Sequence, residues 1–155
     1  MTSPIIDPIT EEERAKWPTS PLVDLGKPFI DKRGKIQPLV DLMMKSAVLI
    51  HSKAGSLRAN HYHKTDWHYC YVISGRINYF HKQVNSNKKP ELLIAETENM
   101  IFTPPMVEHC MKFPVDTLFL TLSRNSRDQE TYEADVVRVN LIDPSDSISW
   151  KPNEN

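Results

Sequence analysis

Short apolar runs alternate with turn residues along this chain, and no sustained helical period appears. Segments rich in Val, Ile, Tyr and Phe recur at Leu22–Leu25, Lys35–Val40, Ala47–His51, Trp67–Ser74, Arg76–Gln83, Glu91–Glu96, Met100–Thr103, Val107–Phe113, Thr117–Ser123 and Ala134–Asn140. Runs this short and this closely spaced predict an all-β sandwich or barrel without βαβ units. The 12 prolines cluster at segment edges, where a missing N–H is tolerated. Residues 1–20 are a leader rich in proline and acid. Its Thr10-Glu11-Glu12-Glu13 resembles a capping box, predicting a short helix from about Glu11 to Trp17, stopped by Pro18. The expected barrel spans 21–142, and 143–155 form a polar tail without periodicity.

Strand parity then sorts the side chains. His61 and His63 are two apart and face one side of an extended segment. On the next strand His68, Cys70 and Val72 share a face, while Trp67, Tyr69, Tyr71 and Ile73 share the other, so both faces are expected to be covered. Later, His109 shares a face with Val107, Met111 and Phe113. A sheet that closes on itself would bring all four histidines together inside one barrel. Histidine is the commonest metal ligand, so His61, His63, His68 and His109 form a candidate site for one divalent ion. Imidazoles suit Zn, Fe, Mn, Ni or Cu, and spacing does not choose among them.

Composition narrows the partners. A net charge of −1 in 155 residues gives no long-range field for nucleic acid or an anionic membrane. The Lys88-Lys89 pair reads as part of a solvated loop. No apolar stretch approaches membrane-spanning length, and the first residues lack a secretory signal pattern. Two cysteines, Cys70 and Cys110, make no disulfide framework, so a cytoplasmic protein with reduced thiols is expected.

The glycine-bracketed stretch Gly55-x5-His61-x-His63-x4-His68-x6-Gly75 resembles the first motif of the cupin superfamily. Pro104-Pro105-Met106-Val107-Glu108-His109 is similar to the centre of its second motif, Pro-x-Gly-x2-His. The resemblance covers about residues 35–125 and implies a cupin jelly roll, a double-stranded β-helix. Cupins pair through sheet edges, so a homodimer is implied as well. The chain departs from the pattern where its glutamate becomes His68, where glycines become Glu98 and Met106, and where the closing asparagine becomes Phe113. Four neutral imidazoles would leave a bound ion at its full +2 charge, favouring anionic partners.

Shorter stretches resemble cupins that process nucleotide-linked keto-sugars. Asp31-Lys32-Arg33-Gly34 is similar to their Asp-x-Arg-Gly segment, and His61-Tyr62-His63-Lys64 to the His-x-His-Lys of sugar ketoisomerases. Leu57-Arg58-Ala59-Asn60-His61-Tyr62 resembles the Leu-Arg-Gly-Leu-His-Tyr of 3,5-epimerases. In those epimerases the arginine helps hold substrate and the histidine is the base. The resemblance therefore implies an isomerase or epimerase acting on an anionic keto-sugar through an enediolate, with His61 catalytic and Arg58 a substrate anchor. Tyr79 is a candidate proton donor, its alternative being a core aromatic; the alternative for Arg58 is a solvated surface residue. A mononuclear non-haem iron dioxygenase and a non-catalytic sugar- or metal-binding module remain alternatives for the same histidines.

Overall fold

The computed structural model describes residues 3–144. The chain runs through helix α1 (Glu11–Arg14) and strands β1 (Phe29–Asp31), β2 (Gly34–Ile36), β3 (Ser46–Ser52), β4 (Leu57–His63), β5 (His68–Ser74) and β6 (Arg76–Gln83). Strands β7 (Glu91–Glu96), β8 (Met100–Thr103), β9 (Val107–Lys112) and β10 (Thr117–Ser123), helix α2 (Gln129–Asp135) and strand β11 (Val136–Arg138) follow. The sheets are antiparallel, with orders β3-β10-β5-β8 and β11-β4-β9-β6-β7, and β1 and β2 form a separate hairpin. From β3 to β6 each strand lies in the opposite sheet to its predecessor, and so do β8 to β11, which is the jelly-roll pattern expected.

Between the sheets lies a core of Val72, Ile77, Tyr79, Ile101, Phe113 and Phe119, joined by Cys70, Ala95 and Met111. Each large apolar side chain so enclosed is worth about 1.5–3 kcal/mol. A second layer covers the outside of the four-stranded sheet. There the N-terminal strap packs Trp17, Val23 and Leu25 against Trp67, Tyr69 and Phe102. This explains the double apolar face of β5: one side lines the barrel and the other lies under the strap. Gly75, at the turn between β5 and β6, has φ +100, and a Cβ there would stand 2.4 Å from Thr117 Oγ1 and 2.6 Å from the Asp116 carbonyl. The closing glycine of the first motif is thus required by close approach.

Several expected elements change. The helix ends at Arg14, short of Trp17, although both arms of its capping box form. Trp17, preceding Pro18, is disfavoured from helix, and its N–H donates instead to Arg14 in a tight turn. Leu22–Leu25 is no strand; it makes one bridge, Leu22 to Ile101, before the turn at Asp24–Gly26. Lys35–Val40 keeps only its start within β2, because Pro38 removes a ladder donor. The start of Ala134–Asn140 belongs to α2, which Asp128 caps by accepting from Thr131 N. Strands β1 and β4 and helix α2 were not expected as such. Of the tail, Asp143 and Pro144 are described; the rest, with Trp150, lies outside the described residues.

Candidate functional site

A bulge in β4 sets the site. Arg58 pairs with Met111 and Ala59 with Cys110, but His61, not Asn60, pairs with His109. Arg58 and His61 are three residues apart and would face opposite sides of a regular strand. The extra residue brings both to the inward face that Met111 and His109 define. Ala59 and Asn60 carry the distortion at φ 69 and 63, in the left-handed region. The far end of the chain clamps it: Asn60 Nδ2 donates to the Ile142 carbonyl at 2.7 Å, and Ile142 N donates back to Asn60 Oδ1 at 3.0 Å. Val139 N donates to the Asn60 carbonyl at 3.0 Å.

The four histidines converge. Ring centroids lie 4.8 Å apart for His61–His63, 4.7 Å for His61–His109, 5.7 Å for His63–His68 and 5.5 Å for His68–His109. Together with Arg58, Met111, Phe119 and Thr121 they line a cleft of about 180 Å³. His63, His68 and His109 are buried, and His61 is half-buried. Arg58 lies at the rim, where its Nε donates to Ser52 Oγ at 2.6 Å and its Nη2 to the His51 carbonyl at 2.8 Å.

Two carboxylates stand behind the histidines. Asp135 Oδ2 lies 3.3 Å from His63 Nδ1, off the line of a hydrogen bond. Asp135 also accepts from Thr65 N, Thr65 Oγ1 and Asp66 N at 2.9, 2.6 and 3.0 Å. Burial raises its pKa, but His63 and these donors outweigh that and hold it at about 2. Asp66 Oδ2 lies 3.8 Å from His68 Nδ1, while its Oδ1 accepts from Asn125 N at 2.8 Å. Burial opposes a proton on His68, yet Asp66 and Cys70 beside it prevail and push its pKa up to about 10. His61 goes the other way, down to about 3, through burial first and then the neighbouring His63 and His68. His109 is also driven low, by burial and then His61 and His68. The cleft thus places neutral imidazoles beside one that keeps a proton.

The ligand atoms of His61, His63 and His109 lie within 4.8 Å of one another, close enough to share a metal ion. His63, Asp66 and His68 make a second such group, so His68 joins the cluster through His63. His109 Nδ1 donates to the Val107 carbonyl at 2.9 Å, which leaves Nε2 free.

Tyr79 is not brought into this cleft. It is fully buried on the far side of His109, with ring centroids 6.2 Å apart, and its hydroxyl lies 2.8 Å from Thr103 Oγ1. Burial raises its pKa. Cys70 and Cys110 are buried free thiols. Sequence reasoning missed Asp66, Asp135, Tyr132 and Arg127. Tyr132 projects from α2 to within 5.5 Å of the His63 ring and 6.3 Å of the His61 ring, with the Arg127 guanidinium over it at 5.1 Å. The available signal was the Asp128-x-x-Thr131 cap, which makes a helix of the segment carrying Tyr132 and Asp135.

No protein-family model matches the chain, and no curated protein matches it in sequence. Solved structures do match. A sugar 3,4-ketoisomerase from Thermoanaerobacterium thermosaccharolyticum in complex with TDP superimposes with a TM-score of 0.60 at 17% identity, covering 79% of this chain and 90% of that one. A dTDP-4-dehydrorhamnose 3,5-epimerase from Sulfolobus tokodaii gives 0.60 at 19% identity, covering 79% and 84%. The capsular polysaccharide assembling protein CapF from Staphylococcus aureus gives 0.56 at 18% identity, covering 77% of this chain and 34% of that one. At these identities the likeness is one of fold, and the fold of this chain is the cupin jelly roll.

Proposed function

We propose that this chain is an isomerase or epimerase of a keto-sugar, in particular a nucleotide-linked one, that moves a proton next to a carbonyl. The observation that carries the reading is a single cleft holding an imidazole without a carboxylate partner, His61, an imidazole backed by Asp66, His68, and an arginine, Arg58. His61 takes the proton α to the ketone. Burial, and after it the neighbouring imidazoles, keep His61 neutral at rest, and the negative charge that develops on the enediolate offsets the second of these, so the site favours the transition state over the resting state. His68 donates a hydrogen bond to the carbonyl oxygen and returns a proton, with Asp66 stabilising its charged form. Arg58 holds the anionic part of the substrate at the rim. The neighbours in fold include a 3,4-ketoisomerase in complex with TDP-4-keto-6-deoxyglucose, a substrate class these residues suit.

The same residues fit a divalent metal ion. His61, His63 and His109 would hold it, while His68 groups with His63 and Asp66 in place of completing the expected quartet, and Asp135 and the Val107 carbonyl would fix the rings of His63 and His109 from behind. Bound there, such an ion would polarise a carbonyl as a Lewis acid.

NMR in D2O tests the proposal, with TDP-4-keto-6-deoxyglucose as the probe and with protein both stripped of metal and loaded with Zn, Mn, Fe or Ni. Deuterium should enter at the carbon next to the carbonyl, and His61→Gln should abolish it. No exchange under any of these conditions overturns the reading, as does oxygen uptake by the iron-loaded protein with an enol substrate. Exchange that needs an added ion assigns the metal-bound form, and exchange in stripped protein assigns the metal-free one.

A further inference from the structure

The barrel has a second opening, on the edge away from the histidine cleft. The strap residues Pro18-Thr19-Ser20-Pro21 run past β8, fastened where Phe102 N donates to the Pro21 carbonyl at 2.8 Å and Val23 N to the Met100 carbonyl at 2.9 Å. Between the strap and the β6–β7 hairpin lies a cavity of about 380 Å³, within the size range of small-molecule sites. Pro18, Pro21, Pro104, Phe102 and Val107 make its walls apolar. Tyr79 lines it too, so the ring that backs His109 separates it from the histidine cleft.

The charge of this cavity is opposite in sign to that of the chain. Lys82, Lys88, Lys89 and His81 line it, against one carboxylate, Glu91. Lys82 is matched by Glu108 at 3.4 Å, and Glu91 faces His81 at 3.9 Å. Lys88 and Lys89 have no carboxylate within ion-pair distance among the described residues, and Ser86 shapes their loop by accepting from Lys88 N at 3.1 Å. Two unmatched ammonium groups beside an apolar slot suit a dianion carried on an apolar body. The Lys88-Lys89 pair lies in an exposed loop, as the sequence reads, and there also forms the cationic rim of this cavity.

We propose that this second cavity binds a small organic phosphate, with its apolar body between the prolines and its phosphate on Lys88 and Lys89. The proposal does not depend on the chemistry assigned to the histidines. Phenyl phosphate, phenol and inorganic phosphate are the probes, each titrated into the full chain while the imidazole resonances of His81 and His61 are followed by NMR. Phenyl phosphate should move the His81 signals and leave those of His61 in place. The double variant Lys88→Glu/Lys89→Glu should weaken it by about tenfold or more, as expected for reversing two rim charges, and leave the His61 signals of the free protein in place. Phenol and inorganic phosphate should each bind at least about tenfold more weakly than phenyl phosphate. Perturbation of His61 instead of His81, an unchanged affinity in the double variant, or equal binding of either fragment overturns the proposal.

Discussion

The two ends of the barrel interior are built to opposite specifications on the same strands. Inward positions on β5 run His68, Cys70, Val72; those on β9 run His109, Met111 and on to Phe113; those on β10 run, in reverse, Phe119, Thr121, Ser123. One end is a sealed apolar plug, in which Val72, Ile77, Phe113 and Phe119 are at most 2% exposed. The other is a polar cleft in which His63 and His68 are buried and backed by carboxylates. Stability concentrates at the first end and chemistry at the second. A buried polar cluster contributes little net stability even when it is satisfied, while a close-packed plug contributes directly.

Truncation of the plug gives the first way to break this contrast. Phe113→Ala should cost about 3–5 kcal/mol in denaturant unfolding, since Phe113 is fully enclosed and stacks with Phe119 at 5.6 Å. The remaining folded fraction should exchange substrate protons at the normal rate. His61→Gln should do the reverse. It should lower deuterium exchange by about 10²–10⁴-fold, the usual contribution of a general base, with a melting temperature near that of the parent. A large stability loss in His61→Gln, or a normal exchange rate, would mean that the ends are not divided as described.

Asp135 lies on the border between the two functions. Asp135→Asn leaves Thr65 and Asp66 donors poorly matched and should cost about 1–3 kcal/mol. Because the carboxyl sits near pKa 2 when folded, below its ordinary 3.8, its contribution is fully present above about pH 4 and is lost as pH falls toward 2. Melting temperature measured across that window should fall more steeply for the parent than for Asp135→Asn; parallel curves would remove Asp135 from the account. Tyr79→Phe is smaller again. It strands the buried Thr103 hydroxyl at about 1 kcal/mol and, facing away from the cleft, should leave deuterium exchange unchanged.

How far the sequence discloses this molecule depends on whether a feature is periodic. Alternation exposed the barrel strands from Trp67 to Ser123, and the parity of His68 and His109 was readable because those strands pair without a slip at those residues. Arg58 was named through the resemblance of its stretch to the epimerases, but its inward face was not readable from parity, because the bulge at Ala59–Asn60 changes parity without a glycine or proline to announce it. Asp66 lies inside the motif, yet its role depends on the Asn125 N–H, which is 59 residues away. Asp135 and Tyr132 come from a helix of seven residues, too short to show a period, whose visible trace is its cap.

The departures from the cupin pattern gain a physical meaning from the backbone. Three residues stand where related patterns carry glycine: Ala59 in the epimerase-like stretch, and Glu98 and Met106 in the second motif. All three have positive φ, at 69, 72 and 62. Glycine occupies this region freely, whereas a Cβ there costs about 1–2 kcal/mol. The neighbours hold the conformation regardless: Glu98 N donates to the Val72 carbonyl and Met106 N to the His63 carbonyl, both at 2.8 Å. The fold therefore tolerates local strain at both ends of the barrel, beside Val72 of the plug as well as beside His63 of the cleft. Met106→Gly and Ala59→Gly should each raise stability by up to about 1 kcal/mol, the relief of strain being partly offset by the added freedom of glycine in the unfolded chain. Met106 is exposed, so its substitution removes little packing and is the cleaner test. If Met106→Gly destabilises in chemical denaturation, the left-handed turn before His109 carries no strain, and the loss of the motif's glycine is neutral for a reason other than clamping by the His63 carbonyl.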